Sequence, residues 1–132
     1  ETPIWLHIQS GGGSLFAGLA AADQLSRIST PIYSVVEGYC ASAATLLSLA
    51  CTKRYILPSA VMLIHQLSSA MWGKYEAFQD ELHLQDMMMD NLVAFYAAKT
   101  KLNKTKARKL LRRDSWFRAS ECVDLGLADE IL

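Results

Sequence analysis

The first half of the chain alternates short β-branched or aromatic runs with stretches of helical spacing, and that alternation restricts the fold more than any other feature. Ile4-Trp5-Leu6-His7-Ile8 is β-rich and stops at a glycine cluster, so it reads as a buried strand. Ser10-Gly11-Gly12-Gly13-Ser14 is a turn that exposes backbone. Leu15, Leu19, Ala22 and Leu25 recur at helical spacing, Ile28 prolongs the stripe, and Pro31 stops it. Ile32 to Glu37 is a second strand, ended by Gly38. Ser42 to Cys51 is small and apolar on every side, which suits a helix at the centre of a fold. Arg54-Tyr55-Ile56-Leu57 and Val61-Met62-Leu63-Ile64 are further strands, separated by Pro58-Ser59. A βαβαββ run with short connections predicts an α/β domain built on a mostly parallel sheet.

The pattern changes at Lys74. Tyr75, Phe78, Leu82, Met89, Leu92 and Tyr96 form a heptad-like seam, interrupted at Gln85, on a long helix over about 74–101. Leu84, Met88, Val93 and Phe95 are apolar too and lie off that seam, so the helix needs more than one neighbour, within the domain or on another subunit. A second helix follows Asn103 and carries Ala107, Leu110 and Leu111. Ser120 reads as the N-cap of a last short helix that ends at Gly126, after which Leu127 to Leu132 returns to the sheet.

Composition narrows the function classes. The 132 residues fit a single domain, 1–132, whose opening directly on a strand pattern reads as a missing upstream segment. Formal net charge is zero, which argues against nucleic acid or a membrane surface as the main partner. The basic stretch from Lys99 to Arg113 has neither aromatic nor acidic residues between its charges and reads as a solvated helix face. The hydrophobic fraction of 52% suggests apolar surface buried against partner subunits. Cys40, Cys51 and Cys122 are far apart with no CxxC pair, so neither a metal site nor a disulfide framework is indicated. No signal peptide is visible and no apolar run is long enough to span a bilayer.

Three residues carry candidate chemistry. Ser42 stands where a strand meets an apolar helix, among small neighbours that let the backbone turn tightly and a substrate approach. Amides at a helix start are unpaired and would stabilise an oxyanion, and the glycine turn offers a second donor, so Gly13 and Ala43 are the candidate pair. A phosphate-cradling loop fits less well, because the cluster has neither GxGxxG spacing nor a GKS or GKT lysine. His65 closes a fully apolar strand and needs a polar partner. Asp114, next to Ser115-Trp116-Phe117, could orient a histidine. Each also has a plain alternative: an N-cap serine, a core histidine satisfied by a carbonyl, and a turn aspartate. His7 inside a strand and His83 in mid-helix are weaker candidates.

The combination resembles the Clp protease proteolytic subunit. Ile8 to Ser14 followed by Ala17-Gly18 is similar to that family's "NSPGG…AG" segment, and Gly38 to Ala44 to its "GxAASxxA" nucleophile motif. Met62-Leu63-Ile64-His65-Gln66 resembles its "MIHQP" motif. Arg113-Asp114 through Ala119, Glu121, Val123, Gly126, Leu127 and Asp129 is similar to its "RD…F…A.EA…GL.D" ending. The resemblance implies the Clp and crotonase fold, an α/β spiral of ββα units with a protruding handle helix. It implies a serine endopeptidase without metal or organic cofactor, with Ser42 as nucleophile, His65 as base, Asp114 as orienting acid and Gly13 and Ala43 as oxyanion donors. Gly12, Ser14 and Leu15 on one side, and Leu67 and Ser68 on the other, would hold the substrate backbone as an added strand. It further implies a homo-oligomer of heptameric rings, stacked as a tetradecamer, with an AAA+ unfoldase as partner. The setting would be cytoplasm, an organellar matrix or stroma, or a host cytoplasm for a phage-encoded member.

The departures are in the loops. Gly11 stands for a proline, Leu67 for the proline after His-Gln, and Ser69-Ala70 for a glycine pair. Other readings are a phage prohead or capsid maturation protease of the same fold, a non-catalytic ring subunit, and an acyl-CoA enzyme using Glu37. A Ser-Lys peptidase using Lys53 or Lys74 would leave His65 unexplained.

Overall fold

The computed structural model describes residues 2–68 and 72–132. Strand β1 (Ile4–Ser10) leads through the glycine turn to helix α1 (Leu15–Ser26), which Ser14 caps by accepting the Ala17 N–H at 3.2 Å. Strand β2 (Ile32–Ala41) follows, then helix α2 (Ala43–Leu49), β3 (Lys53–Ile56) and β4 (Val61–Ile64). The long helix α3 is Tyr75–Lys99, and α4 (Lys104–Leu110) starts from Asn103, whose Oδ1 accepts the Lys106 N–H at 2.8 Å. Strand β5 (Ser115–Arg118) runs straight into α5 (Ala119–Leu125), and β6 (Glu130–Ile131) closes the order.

These strands form one sheet, β5-β4-β2-β3-β6, with β1 on β2. All pairings are parallel except β4 with β5, so the α/β, mostly parallel architecture is the one observed. Consecutive parallel strands need crossovers, and α1 and α2 supply them. Gly18 lets those two helices touch, since a Cβ there would lie 3.0 Å from the Ala43 Cβ.

Strand β2 differs from its sequence reading. Gly38 does not end it. The glycine takes φ +59, and pairing with β1 jumps from Ile8↔Val36 to Ser10↔Cys40. The jump is a bulge, after which β2 resumes. Its first half pairs with β3 through Tyr33–Val36 and its last residues pair with β4 through Tyr39–Ala41. This change of partner carries the chain up to Ser42. Ser120 also differs. It lies inside α5, and the helix start is served by the Glu121 carboxylate, which accepts the Arg118 N–H at 3.0 Å. Gly126 ends α5 in the left-handed region, as read.

The core sits where α2, the far half of α3, α4 and α5 cover the sheet, with Leu46, Ile56, Met62, Ile64, Leu92 and Leu111 among its members. The α3 seam is divided. Leu92 and Tyr96 are buried together with Met88 and Val93, whereas Tyr75, Phe78, Leu82 and Met87 are exposed. Arg54 ties the C-terminal segment down: its guanidinium donates to the carbonyls of Lys99 at 2.7 Å and Gly126 at 3.0 Å. Among the described residues, no helix is long and apolar enough to cross a membrane.

Candidate active site

Three neighbouring strands converge on one end of the sheet. Ser42 follows β2, His65 follows β4 and Asp114 precedes β5, and β4 lies between the other two. Because β5 is antiparallel to β4, its beginning meets the end of β4.

Ser42 has φ 60 and ψ −129, the one positive φ outside glycine among the described residues. Such a backbone costs about 1–3 kcal/mol and persists only where the surroundings enforce it. Its N–H donates to the Leu63 carbonyl at 3.0 Å, and its carbonyl accepts both the N–H of Thr45 at 3.0 Å and the Thr45 hydroxyl at 2.7 Å. The Ser42 side chain makes no capping hydrogen bond, so the reading of Ser42 as a plain N-cap does not hold. Gly12 is pressed against this turn: a Cβ there would lie 2.7 Å from the Ala41 oxygen and 2.8 Å from the Ser42 Cβ.

His65 shares a cavity of about 360 Å³ with Ser42. Its Nδ1 lies 2.6 Å from the Gln66 carbonyl. A carbonyl only accepts, so Nδ1 carries a proton, and in the neutral imidazole Nε2 is then the acceptor. Asp114 is exposed. The β4–β5 pairing ends at Ile64 with Ser115, so His65 and Asp114 are the residues immediately beyond its last pair. Among the described residues no hydrogen bond joins Asp114 to His65, or His65 to Ser42.

Gly13, Ser14, Leu15, Ala43, Leu67 and Ser68 line the same cavity. Gly12 faces an adjoining one of about 280 Å³, with Gly13, Ser14 and Ala43. Ser14 and Leu15 have structural duties as well, as the cap and first residue of α1. Ser69-Ala70 lies outside the described residues. The sequence reading missed the wall supplied by α3, where Glu81, Gln85, Met88, Leu92 and Tyr96 face the cavity. The off-seam apolar Met88 was the available signal. Tyr96 bonds through its hydroxyl to Thr45 Oγ1 at 2.6 Å. Burial pushes the Tyr96 phenol up to about 12, with the Thr45 hydrogen bond opposing.

Cys40 lies two residues before Ser42, but burial pushes its thiol up to about 12, with the Cys122 charge adding to the shift. It stays protonated and is no rival nucleophile.

The model of the Clp protease family matches residues 1–132. The chain belongs to the Clp protease family. It is 34% identical over 134 residues to ATP-dependent Clp protease proteolytic subunit 1 of Chlamydia muridarum (strain MoPn / Nigg), covering 98% of this chain and 70% of that one. Subunit 2 of Treponema denticola (strain ATCC 35405 / DSM 14222 / CIP 103919 / JCM 8153 / KCTC 15104) is 35% identical over 133 residues, covering 98% of this chain and 66% of the relative. Subunit 1 of Protochlamydia amoebophila (strain UWE25) is 32% identical over 136 residues, with 98% and 65% covered. The α/β fold with its long helix is that of a Clp protease, and the relatives are proteolytic subunits.

Proposed function

We propose that this chain is a serine endopeptidase subunit in which Ser42 attacks the scissile carbonyl of an unfolded polypeptide. The observation that carries the reading is the strained Ser42 backbone, at a strand-to-helix junction and beside a cavity shared with His65. Neutral Nε2 of His65 takes the Ser42 hydroxyl proton as the Oγ–C bond forms. The amides of Gly13 and Ala43 hold the oxyanion. Collapse of the tetrahedral species transfers the proton from Nε2 to the leaving amine and leaves an ester on Ser42. Water, activated by the same nitrogen, then releases the acid product.

Asp114 is the orienting carboxylate in this scheme. Nδ1 of His65 is engaged by the Gln66 carbonyl. Turning that peptide aside would let the Asp114 carboxylate, just beyond the last β4–β5 pair, take over Nδ1 and stabilise the imidazolium. The engaged Nδ1 also gives the non-catalytic ring subunit its one supporting observation. The substrate backbone lies between Gly12–Ser14 and Leu67–Ser68. Stacked heptameric rings would form through the exposed half of α3, where Tyr75, Phe78 and Leu82 present apolar surface, with exposed Trp72 just before the helix. An AAA+ unfoldase would feed the enclosed chamber. Ser42→Ala should lower hydrolysis of a short fluorogenic peptide by on the order of 10⁶. Undiminished turnover by that variant removes Ser42 from the mechanism.

A further inference from the structure

The Ser42 carbonyl is held by a buried chain of hydroxyls that starts on a helix remote in sequence. Thr45 and Tyr96 are both buried, at 0% and 3% exposure, and their hydroxyls meet at 2.6 Å. Thr45 has a single hydroxyl proton, and it goes to the Ser42 carbonyl at 2.7 Å. Tyr96 must therefore be the donor to Thr45, and the chain runs one way: Tyr96 to Thr45 to Ser42.

The acceptor at the end of that chain belongs to the peptide unit that also bears the Ala43 N–H. A trans peptide is planar, with its C=O and N–H pointing in opposite directions. Fixing the carbonyl therefore fixes the direction of the amide. Donation into a carbonyl also polarises the amide of the same unit, so a chain of donors strengthens the last one. The carbonyl belongs to the strained residue, where an unsupported peptide would be most ready to turn.

We propose that Tyr96 is a positioning residue, acting through Thr45 to aim and polarise the Ser42–Ala43 peptide as an oxyanion donor. The inference rests on the assignment of Ser42 as nucleophile made above. The phenol suits a permanent donor, because burial keeps it protonated well past neutral pH. Its hydroxyl is spent on Thr45, and Tyr96→Phe keeps the ring that lines the cavity, so loss of the hydroxyl should affect the chemical step and leave substrate binding alone.

The test compares Tyr96→Phe, Thr45→Val, Thr45→Ser and Ser34→Ala in the full protein. Ser34→Ala breaks the other buried hydroxyl pair, Ser34 with Ser48 at 2.8 Å. Turnover of a fluorogenic peptide is expressed per active site, counted with a fluorophosphonate. Tyr96→Phe and Thr45→Val should each lower kcat about tenfold with KM within about twofold, less than loss of a whole oxyanion donor. The double variant should fall no further than Thr45→Val alone, and Thr45→Ser, which keeps the hydroxyl, should restore kcat. Ser34→Ala should lower Tm without changing kcat. A purely structural tie predicts that Tyr96→Phe behaves like Ser34→Ala, and that result overturns the inference. Wild-type kcat in Thr45→Val beside an inactive Ser42→Ala overturns it too and leaves the nucleophile standing. An active Ser42→Ala removes the reading beneath it.

Discussion

Gly12→Ala is the substitution whose cost follows most directly from the geometry. Gly12 has φ +95, and an added Cβ would lie 2.7 Å from the Ala41 oxygen, 2.8 Å from the Ser42 Cβ and 3.0 Å from the Ala43 nitrogen. The backbone conformation alone costs an L-residue about 1–3 kcal/mol. The contacts are with backbone and a Cβ, not a flexible side-chain end, so relief requires the Ser42 turn to move. Overpacking of that kind adds about 1–3 kcal/mol. The sum, about 2–6 kcal/mol, corresponds to a fall in Tm of roughly 6–18 °C for a domain of this size. Activity should drop further than stability explains, because the atoms displaced are those of the proposed nucleophile and its amide. Peptide hydrolysis by the folded fraction should fall at least about 10²-fold, the loss of one oxyanion donor. The matched control for stability alone is Gly13→Ala, where an added Cβ meets nothing within 4 Å and only the strain of φ +154 remains; its turnover is no control, because Gly13 is itself a proposed oxyanion donor. Thermal unfolding of the two variants and fluorogenic turnover of Gly12→Ala decide the matter. A Gly12→Ala protein with wild-type Tm and turnover would refute the close packing of the glycine turn on Ser42.

Alkaline pH should destabilise the fold. Burial raises the Cys40 and Cys122 thiols from 9.0 to about 12 and the Tyr96 phenol from 10.0 to about 12. The unfolded chain therefore loses these protons first, and stability declines between pH 9 and 12 for each thiol and between pH 10 and 12 for the phenol, by about 1.4 kcal/mol per pH unit per group. Tm followed from pH 8 to 11 should fall, with a shallower slope in Cys40→Ala; a flat profile contradicts the burial of these groups. The double variant Phe78→Ser/Leu82→Ser should shift the sedimentation profile towards smaller species with the far-UV spectrum unchanged, because both side chains are exposed on α3. An unaltered assembly would remove this helix half from the subunit interface.

Much of the fold was legible because its signals are local. The β-branched runs, the stripe from Leu15 to Leu25, the Asn103 cap and the Gly126 stop each depend on near neighbours, and each gave its element. Gly38 was misread because the partner that decides its role is distant: the Gln9 side chain packs where a Cβ would be, and β4 waits beyond to continue the pairing. Ser120 was misread because Glu121 served the helix start instead. At the site, Ser42, His65 and the glycine turn carried local marks, and the sheet brings them to one cavity. The Thr45–Tyr96 contact carried none, since it spans 51 positions and joins residues that read as ordinary core. The bond of His65 to Gln66 in place of Asp114 was equally invisible, because it turns on one peptide's orientation.

The central claim is that Ser42 is a nucleophile activated by His65. Reaction with an alkyl fluorophosphonate, in which a serine oxygen displaces fluoride from phosphorus, followed by peptide mass mapping, tests it most directly. The account predicts a single adduct per subunit, on Ser42, formed at least about 10²-fold more slowly in His65→Ala. An adduct on another residue, or equal labelling of Ser42 without the imidazole, would contradict it.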